Sequence, residues 1–394
     1  MNDIKICVIG AGTAGVVSVL AILNAAKREN INVQVTCMYD PLLPTIQVGE
    51  STSSPILGLI TELIDFRVLK DLNDIDGTLK YGSKYVDWNT NEFFVHHIQP
   101  AIHLNSAKFS FWVLEKLIEK FPSTFTTIHD TVTNLHNNSD SATIVGKKSS
   151  YEYDYVIDCR GFPTLEELET DDYIEPTFSS VNSVIIYPEF KTYNEMYTTS
   201  QAHSNGWLFE IPLPFRKAFG YLYNNNITSK EQAIEDFKTL RPNIDIEKTR
   251  QLSWTSFYRK NIVSNRIMYS GNKLFFFEPS QGFPLHYYTV FADFLIHCIG
   301  KNLNVEETLN KYYTDIIENI QDIIALTYQA NTKFDSNFWK YAKQRSRERL
   351  LLSNKFITWC NDHKLYTHFA SHSTEIMFSL INGMGIDLEV FKKV

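Results

Sequence analysis

Two hydrophobic rhythms alternate over the first forty residues. Positions 4–9 are apolar except for Lys5, as in a strand buried on both faces of a parallel sheet. A glycine-rich break follows, and residues 14–27 then carry apolar side chains at helical spacing. Residues 32–38 form a second strand, so the opening reads as strand, helix, strand. Ser53 or Ser54 before Pro55 supplies an N-cap and a first-turn proline for another helix. Residues 79–88 predict a strand, and residues 106–121 a helix with Phe109, Trp112, Val113, Leu117 and Ile118 on its apolar face. Residues 151–158 are a further strand, and residues 175–260 alternate strands with turns such as Asn224-Asn225-Asn226. Residues 268–300 return as strand, loop and helix, and from Asn304 to Val394 the chain is mainly helical. No internal repeat or low-complexity linker interrupts this order.

The break after the first strand reads Gly10-Ala11-Gly12-Thr13-Ala14-Gly15, a G-x-G-x-x-G loop in the strand–turn–helix setting that gives the motif its meaning. Gly10 permits the tight turn, Gly12 lets the backbone approach a pyrophosphate, and Gly15 lets the helix pack closely on the sheet. Thr13 and Ala14 begin the helix whose free N–H groups and positive dipole end face the phosphates. Asp40, roughly 25 residues after Gly15, is the acid expected on the ribose. Cofactor-contacting loops recur near Asp158 and Gly161, and again from Gly271 through Pro279, Gln281 and Gly282. Three separated loops suit a flavin lying under a second sheet better than a simple NAD domain. The expected fold class is α/β: a Rossmann-type FAD-binding domain (1–165 and 262–300), an inserted β-sheet roof over flavin and substrate (166–261) and a helical C-terminal region (301–394).

Composition narrows the function. The 394 residues are 44% hydrophobic and 21% charged, ordinary for a globular protein with a sizeable core. A net charge of −8 with no basic block argues against nucleic acid as a partner. No apolar run reaches the length of a membrane span and no signal peptide is visible, so the expectation is a cytoplasmic protein. The five cysteines are scattered without C-x-x-C spacing and read as small core hydrophobes, and the 11 histidines show no ligand spacing, so no metal is expected. Aromatic residues make up 14%, which suits a large core and equally a pocket for a flat ring.

The strings taken together resemble the flavin-dependent halogenases of the tryptophan halogenase type. The glycine loop and Val48-Gly49-Glu50-Ser51-Thr52, within the longer run from Pro44, are similar to that family's flavin strings. Lys80-Tyr81-Gly82-Ser83-Lys84-Tyr85-Val86-Asp87-Trp88 resembles its K-x-x-x-K-F-x-x-W strand, and Asp158-Cys159-Arg160-Gly161-Phe162 its D-C-S/T-G-F loop. Gly206-Trp207-Leu208-Phe209-Glu210-Ile211-Pro212 resembles G-W-x-W-x-I-P, Phe277-Glu278-Pro279 the start of F-x-E-P-L-E-S-T-G, and Asn337-Phe338-Trp339 a later string. Three departures stand out. Phe209 replaces the second Trp, Gln281 falls where the family has its active-site Glu, and Gly282-Phe283-Pro284 replaces S-T-G. The long insertion that encloses free tryptophan is largely absent between Trp88 and the helix at 106.

The resemblance implies FAD, used as FADH2, with oxygen and a halide (chloride, bromide or iodide), giving a hypohalous acid that halogenates an electron-rich ring. It implies Glu50, Ser51 and Thr52 as further flavin contacts. Lys80 is then the residue that hydrogen-bonds the acid or captures it as a haloamine, and Lys84, two strand periods on, is the fallback on the same face. Gln281 can hydrogen-bond but cannot act as a base, which leaves His286 and Glu278 as substitutes, Glu278 also serving as a cap for the next helix. Pro284 removes one N–H from the halide loop. The expected partners are a separate NAD(P)H-dependent flavin reductase and an aromatic small-molecule or carrier-bound substrate other than free tryptophan, with self-association into a homo-oligomer left open. The alternatives are a flavin-dependent aromatic monooxygenase and a non-catalytic flavin-binding protein.

Overall fold

The computed structural model describes residues 3–43, 50–90, 92–279, 282–362 and 374–392. The strand Ile4–Ile9 runs parallel to Val33–Tyr39 on one side and to Tyr155–Asp158 on the other. The sheet extends to six strands, with Phe125–His129 beyond Val33–Tyr39, then Ile267–Tyr269 and Val263–Ser264 beyond Tyr155–Asp158. Its central strands are buried on both faces, which explains their nearly unbroken apolar sequences. The helix Thr13–Glu29 crosses between the first two strands and ends on Asn30 in the left-handed conformation, with Lys27 and Arg28 in its last turn. It packs along the helix Phe283–Gly300, and Val16, Val17, Val19, Leu20 and Ile22 are wholly buried there. Each such aliphatic side chain contributes about 1.5–3 kcal/mol by leaving water.

A second sheet of seven strands runs in the order Arg250–Ser253, Ser183–Glu189, Arg216–Tyr223, Gly206–Leu213, Tyr197–His203, Thr78–Val86, Phe93–His103. All neighbours are antiparallel except Tyr197–His203 with Thr78–Val86. The lysine-bearing strand and its neighbour thus join the sheet built mainly from residues 183–253, although chain order groups them with the glycine loop. The stretch after Trp88 is itself the strand Phe93–His103, which the sequence pattern did not reveal. Its polar residues His96, His97 and Gln99 broke the alternation.

The helix at Ser106–Lys120 buries Phe109, Trp112, Val113 and Leu117 as expected, but Ile118 is 48% exposed and lies off the apolar face. Beyond residue 304 the described residues form the helices Val305–Thr327, Asn337–Leu352, Asn354–Asp362 and Thr374–Met384. Ser53 is the N-cap residue of Ser54–Ile64 with Pro55 in the first turn, yet its hydroxyl makes no cap bond, and Ser54 donates instead to the Gln99 carbonyl at 2.7 Å.

Candidate active site

The glycine loop divides into positions that pack and a position that stays open. Gly10 has φ +107°, and a β-carbon there would stand 3.0 Å from the Cys159 carbonyl oxygen. A β-carbon on Gly15 would stand 1.9 Å from the Gly10 carbonyl oxygen, so both sites require glycine for close approach. Among the described residues, nothing lies within 4 Å of a β-carbon placed on Gly12. Gly12 is also the N-cap of Thr13–Glu29, with no side-chain cap and no acidic residue in the first turn. Backbone donors at Thr13 and Ala14 and the helix dipole therefore meet open space, the electrostatics that a diphosphate needs. A β-carbon on Gly271, at φ +66°, would stand 3.1 Å from Ala14 Cβ and 3.9 Å from the Cys159 carbonyl oxygen, so the three separated loops converge. Gly161, at φ +39°, is again open among the described residues. This cradle fits the diphosphate of FAD.

Asp40 follows Tyr39 at the strand end. Its carboxylate accepts from the Thr131 hydroxyl at 2.6 Å and the Leu42 amide at 2.9 Å, and the Thr131 bond chiefly holds its pKa below the usual carboxylate value. Asp158 is fully buried, and Arg160 grips both its oxygens at 2.9 Å, so the guanidinium is the member of the pair that reaches solvent.

Lys80 is 5% exposed. Its Nζ donates to Ser51 Oγ at 2.8 Å, and among the described residues no carboxylate lies within ion-pair distance. Burial lowers its pKa from 10.5 to about 8. Two buried histidines flank it. Burial, and then the Lys80 charge, push His96 down to about 4 and His103 well below its usual value. The Thr78 hydroxyl gives its one proton to the Pro212 carbonyl at 3.0 Å, so toward His103 Nδ1, at 3.2 Å, it acts as acceptor. His103 is then the neutral Nδ1–H tautomer, with Nε2 accepting from Thr198 at 2.9 Å.

Lys84 does not share this face. A bulge between Lys80 and Gly82 shifts the register, and Gly82 adopts φ +152° with its would-be β-carbon 2.2 Å from the His96 carbonyl oxygen. Beyond it Tyr85, not Lys84, is buried, and Lys84 Nζ lies over the Phe93 ring at 4.5 Å.

Ser51 pairs with His103 as an isolated bridge, and Thr52 exchanges hydrogen bonds with the Ile102 backbone at 2.8 and 3.1 Å. Glu50 is buried against Arg216, and burial raises its pKa despite that partner. A β-carbon on Gly282, at φ +67°, would be 3.8 Å from the Ser51 carbonyl oxygen, so the turn opening the helix Phe283–Gly300 meets the Lys80–Ser51 pair. Pro279 lies just upstream, while Gln281, Ser280 and residues 44–49 fall outside the described residues. Glu278 is no helix cap, since Gly282 holds that position. Its buried carboxylate accepts from Tyr328 at 3.0 and 3.2 Å and from Ser180 at 3.2 Å. His286 is buried in the first turns of the helix. Sequence reading missed Arg216, His103, Ser180 and Tyr328. Their partners lie up to 166 residues away, and no local string marks them.

Residues 5–138 and, in an overlapping stretch, 89–384 match the tryptophan halogenase family. The chain belongs to that family. This halogenase is an enzyme of the flavin-dependent type, for which FAD and halide are the implied reactants. It is 21% identical to tryptophan 7-halogenase RebH of Lentzea aerocolonigenes, over 86% of this chain and 79% of the relative. It is 22% identical to tryptophan 7-halogenase KtzQ of Kutzneria sp. (strain 744), over 48% of this chain and 38% of the relative. The tryptophan halogenase structure from Shewanella frigidimarina NCIMB 400 superposes with a TM-score of 0.82 at 19% identity, covering 98% of this chain and 89% of that one. BrvH, a flavin-dependent halogenase from Brevundimonas sp. BAL3, gives 0.78 at 16%, covering 99% and 94%. The fold of this halogenase is therefore that of the solved family members.

Proposed function

We propose that this chain is an FADH2-dependent halogenase acting on an electron-rich aromatic other than free tryptophan, with Lys80 as its catalytic residue. The observation that carries the reading is the Lys80 ammonium, buried beside Gly282 with, among the described residues, Ser51 as its hydrogen-bond partner and no carboxylate in ion-pair reach. Isolated buried charge is costly and is tolerated where chemistry needs it. Bound as FADH2, the cofactor supplies, with oxygen and halide, the hypohalous acid that the chain must deliver. Gly10, Gly12, Thr13, Ala14 and Gly15 hold the diphosphate. Asp40 would face the ribose, and the segments at 50–52 and 158–161 with Gly271, Pro279 and Gly282 would enclose the rest.

Lys80 donates to the oxygen of hypohalous acid, or its neutral amine, about a tenth of the population at pH 7 given a pKa of about 8, takes the halogen as the oxygen–halogen bond breaks and the hydroxyl leaves with an amine proton as water. A phenol, indole or pyrrole then loses its ring proton without a strong base, which accommodates Gln281. Support for a larger or carrier-bound substrate comes from the strand end nearest Lys80. Met196, whose carbonyl accepts from the Tyr81 amide, is 39% exposed, and Phe215, beside Arg216, is 65% exposed. Reduced flavin is expected from a separate reductase.

The test is a mass-spectrometric screen with FAD, a reductase, NADH and catalase, offering chloride, bromide or iodide and a panel of phenols, indoles and pyrroles. A halide-dependent mass gain is the expected result. A halide-independent gain of one oxygen would move the protein to the monooxygenases.

A further inference from the structure

Two strings lie far apart in the chain, the one containing Trp207 and the one containing Glu278, and both meet a residue that belongs to neither. The Trp207 indole N–H donates to the Tyr328 hydroxyl at 2.9 Å. That hydroxyl has one proton, and it goes to the Glu278 carboxylate at 3.0 and 3.2 Å. Ser180 adds a third bond to the same carboxylate at 3.2 Å, and its own carbonyl is held by Asn224 at 3.1 Å. Tyr328 is fully buried, with Trp207 and Glu278 at 3% and 6% exposed. Trp88 and Trp339 pack around them, their ring centroids 6.1 and 6.2 Å from Tyr328.

The residue before Glu278 is pinned as well: the Phe277 carbonyl accepts from Trp254 Nε1 at 2.8 Å and Ser256 Oγ at 2.9 Å. Pro279 then fixes the next φ, and Gly282 stands beside Ser51, the partner of Lys80. This tether is anchored at Glu278, four residues before Gly282, whose would-be β-carbon faces Ser51. Low dielectric strengthens each of its bonds and makes the loss of any one costly.

We propose that Tyr328 is a positioning residue for halogen transfer, acting through Glu278 to hold Gly282 against the Lys80–Ser51 pair. This rests on the halogenase reading of that same site. Tyr328 touches neither cofactor nor substrate in this account. Its effect is on where the oxidant goes after it forms, not on flavin affinity or flavin reoxidation.

In Tyr328→Phe, flavin affinity and the rate of flavin reoxidation stay within twofold of the wild type. Halogenated product per flavin oxidised falls at least tenfold, and amide hydrogen exchange at Gly282 and in the first turn of the following helix rises at least tenfold. Adding Glu278→Gln to Tyr328→Phe removes a buried carboxylate charge that has lost its tyrosine donor and recovers at least threefold of the lost coupling. Ser180→Ala, a milder loss at the same carboxylate, moves coupling and exchange the same way by a smaller factor, and serves if Tyr328→Phe fails to fold. Unchanged coupling, unchanged exchange, or no recovery in the double variant overturns the proposal. Absence of halogenated product from the wild type would instead defeat the halogenase reading, and unchanged exchange at Gly282 in the variant would then still refute the tether.

Discussion

Lys80 makes the protein less stable than it could be, and the sign of that effect is testable. Below pH about 8 the lysine is protonated in both folded and unfolded chains, so the native state bears the full cost of a buried cation. Between about 8 and 10.5 the folded protein has released the proton while the unfolded chain keeps it, so stability rises with pH across that window. The shift corresponds to about 3 kcal/mol, of which the Ser51 hydrogen bond returns about 1. Lys80→Met is expected to be about 2 kcal/mol more stable than the wild type at pH 7 in urea unfolding, with the advantage shrinking toward pH 10. A destabilised variant at pH 7 would contradict the burial argument. Glu50 behaves in the opposite sense. Its pKa is raised by burial, and Arg216→Met would strand its charge at a cost of about 3 kcal/mol. A carboxyl with a raised pKa loses native-state advantage as pH climbs above its unfolded value. Unfolding at pH 5 should therefore show a smaller loss for this variant than unfolding at pH 8.

At the scale of elements, the glycine loop separates packing from binding in a way a pair of variants can read. Gly15→Ala forces a β-carbon into the Gly10 carbonyl and should destabilise the fold by about 2 kcal/mol. A β-carbon at Gly12 meets no atom of the described residues, so Gly12→Val should change stability by no more than about 1 kcal/mol and should nevertheless abolish flavin binding by fluorescence titration. Flavin bound normally by Gly12→Val would refute the diphosphate cradle. These elements were legible in the sequence because their constraints are local: a strand, a turn needing three glycines, and a helix with an open N-terminus. The lysine strand was legible as a strand, but the side on which Lys84 points was not. One bulge at Gly82 reverses the alternation on which such a reading depends. The strand Phe93–His103 escaped in part because its fully buried His103 is satisfied across the sheet. His103 lies between Thr78 and Thr198, partners no sequence window contains.

Across the whole molecule, the site is a junction of chain segments rather than the property of any one of them. Ser51 comes from the turn before a Rossmann-side helix, Lys80 from an inner strand of the second sheet, and Gly282 from the cap of the helix that packs on Thr13–Glu29. Length and motif order pointed to a flavin fold with a second sheet. Which strands belong to which sheet required the register, because the lysine strand pairs in parallel with Tyr197–His203 across more than one hundred intervening residues. No second nucleotide-binding string accompanies the glycine loop, so the purified chain alone should not sustain NADH oxidation, and a steady rate in a coupled absorbance assay would argue against a separate reductase.

The central claim is that Lys80 carries the halogen from where the oxidant forms to the ring. The direct measurement compares wild type and Lys80→Met, both loaded with FAD and reductase, for two quantities at once: halogenated product by mass spectrometry and hypohalous acid escaping to a bulk trap. The wild type is expected to give product and Lys80→Met none, with flavin reoxidised at an unchanged rate and the oxidant lost to the trap or decomposed. Equal yields of halogenated product from the two proteins would contradict it.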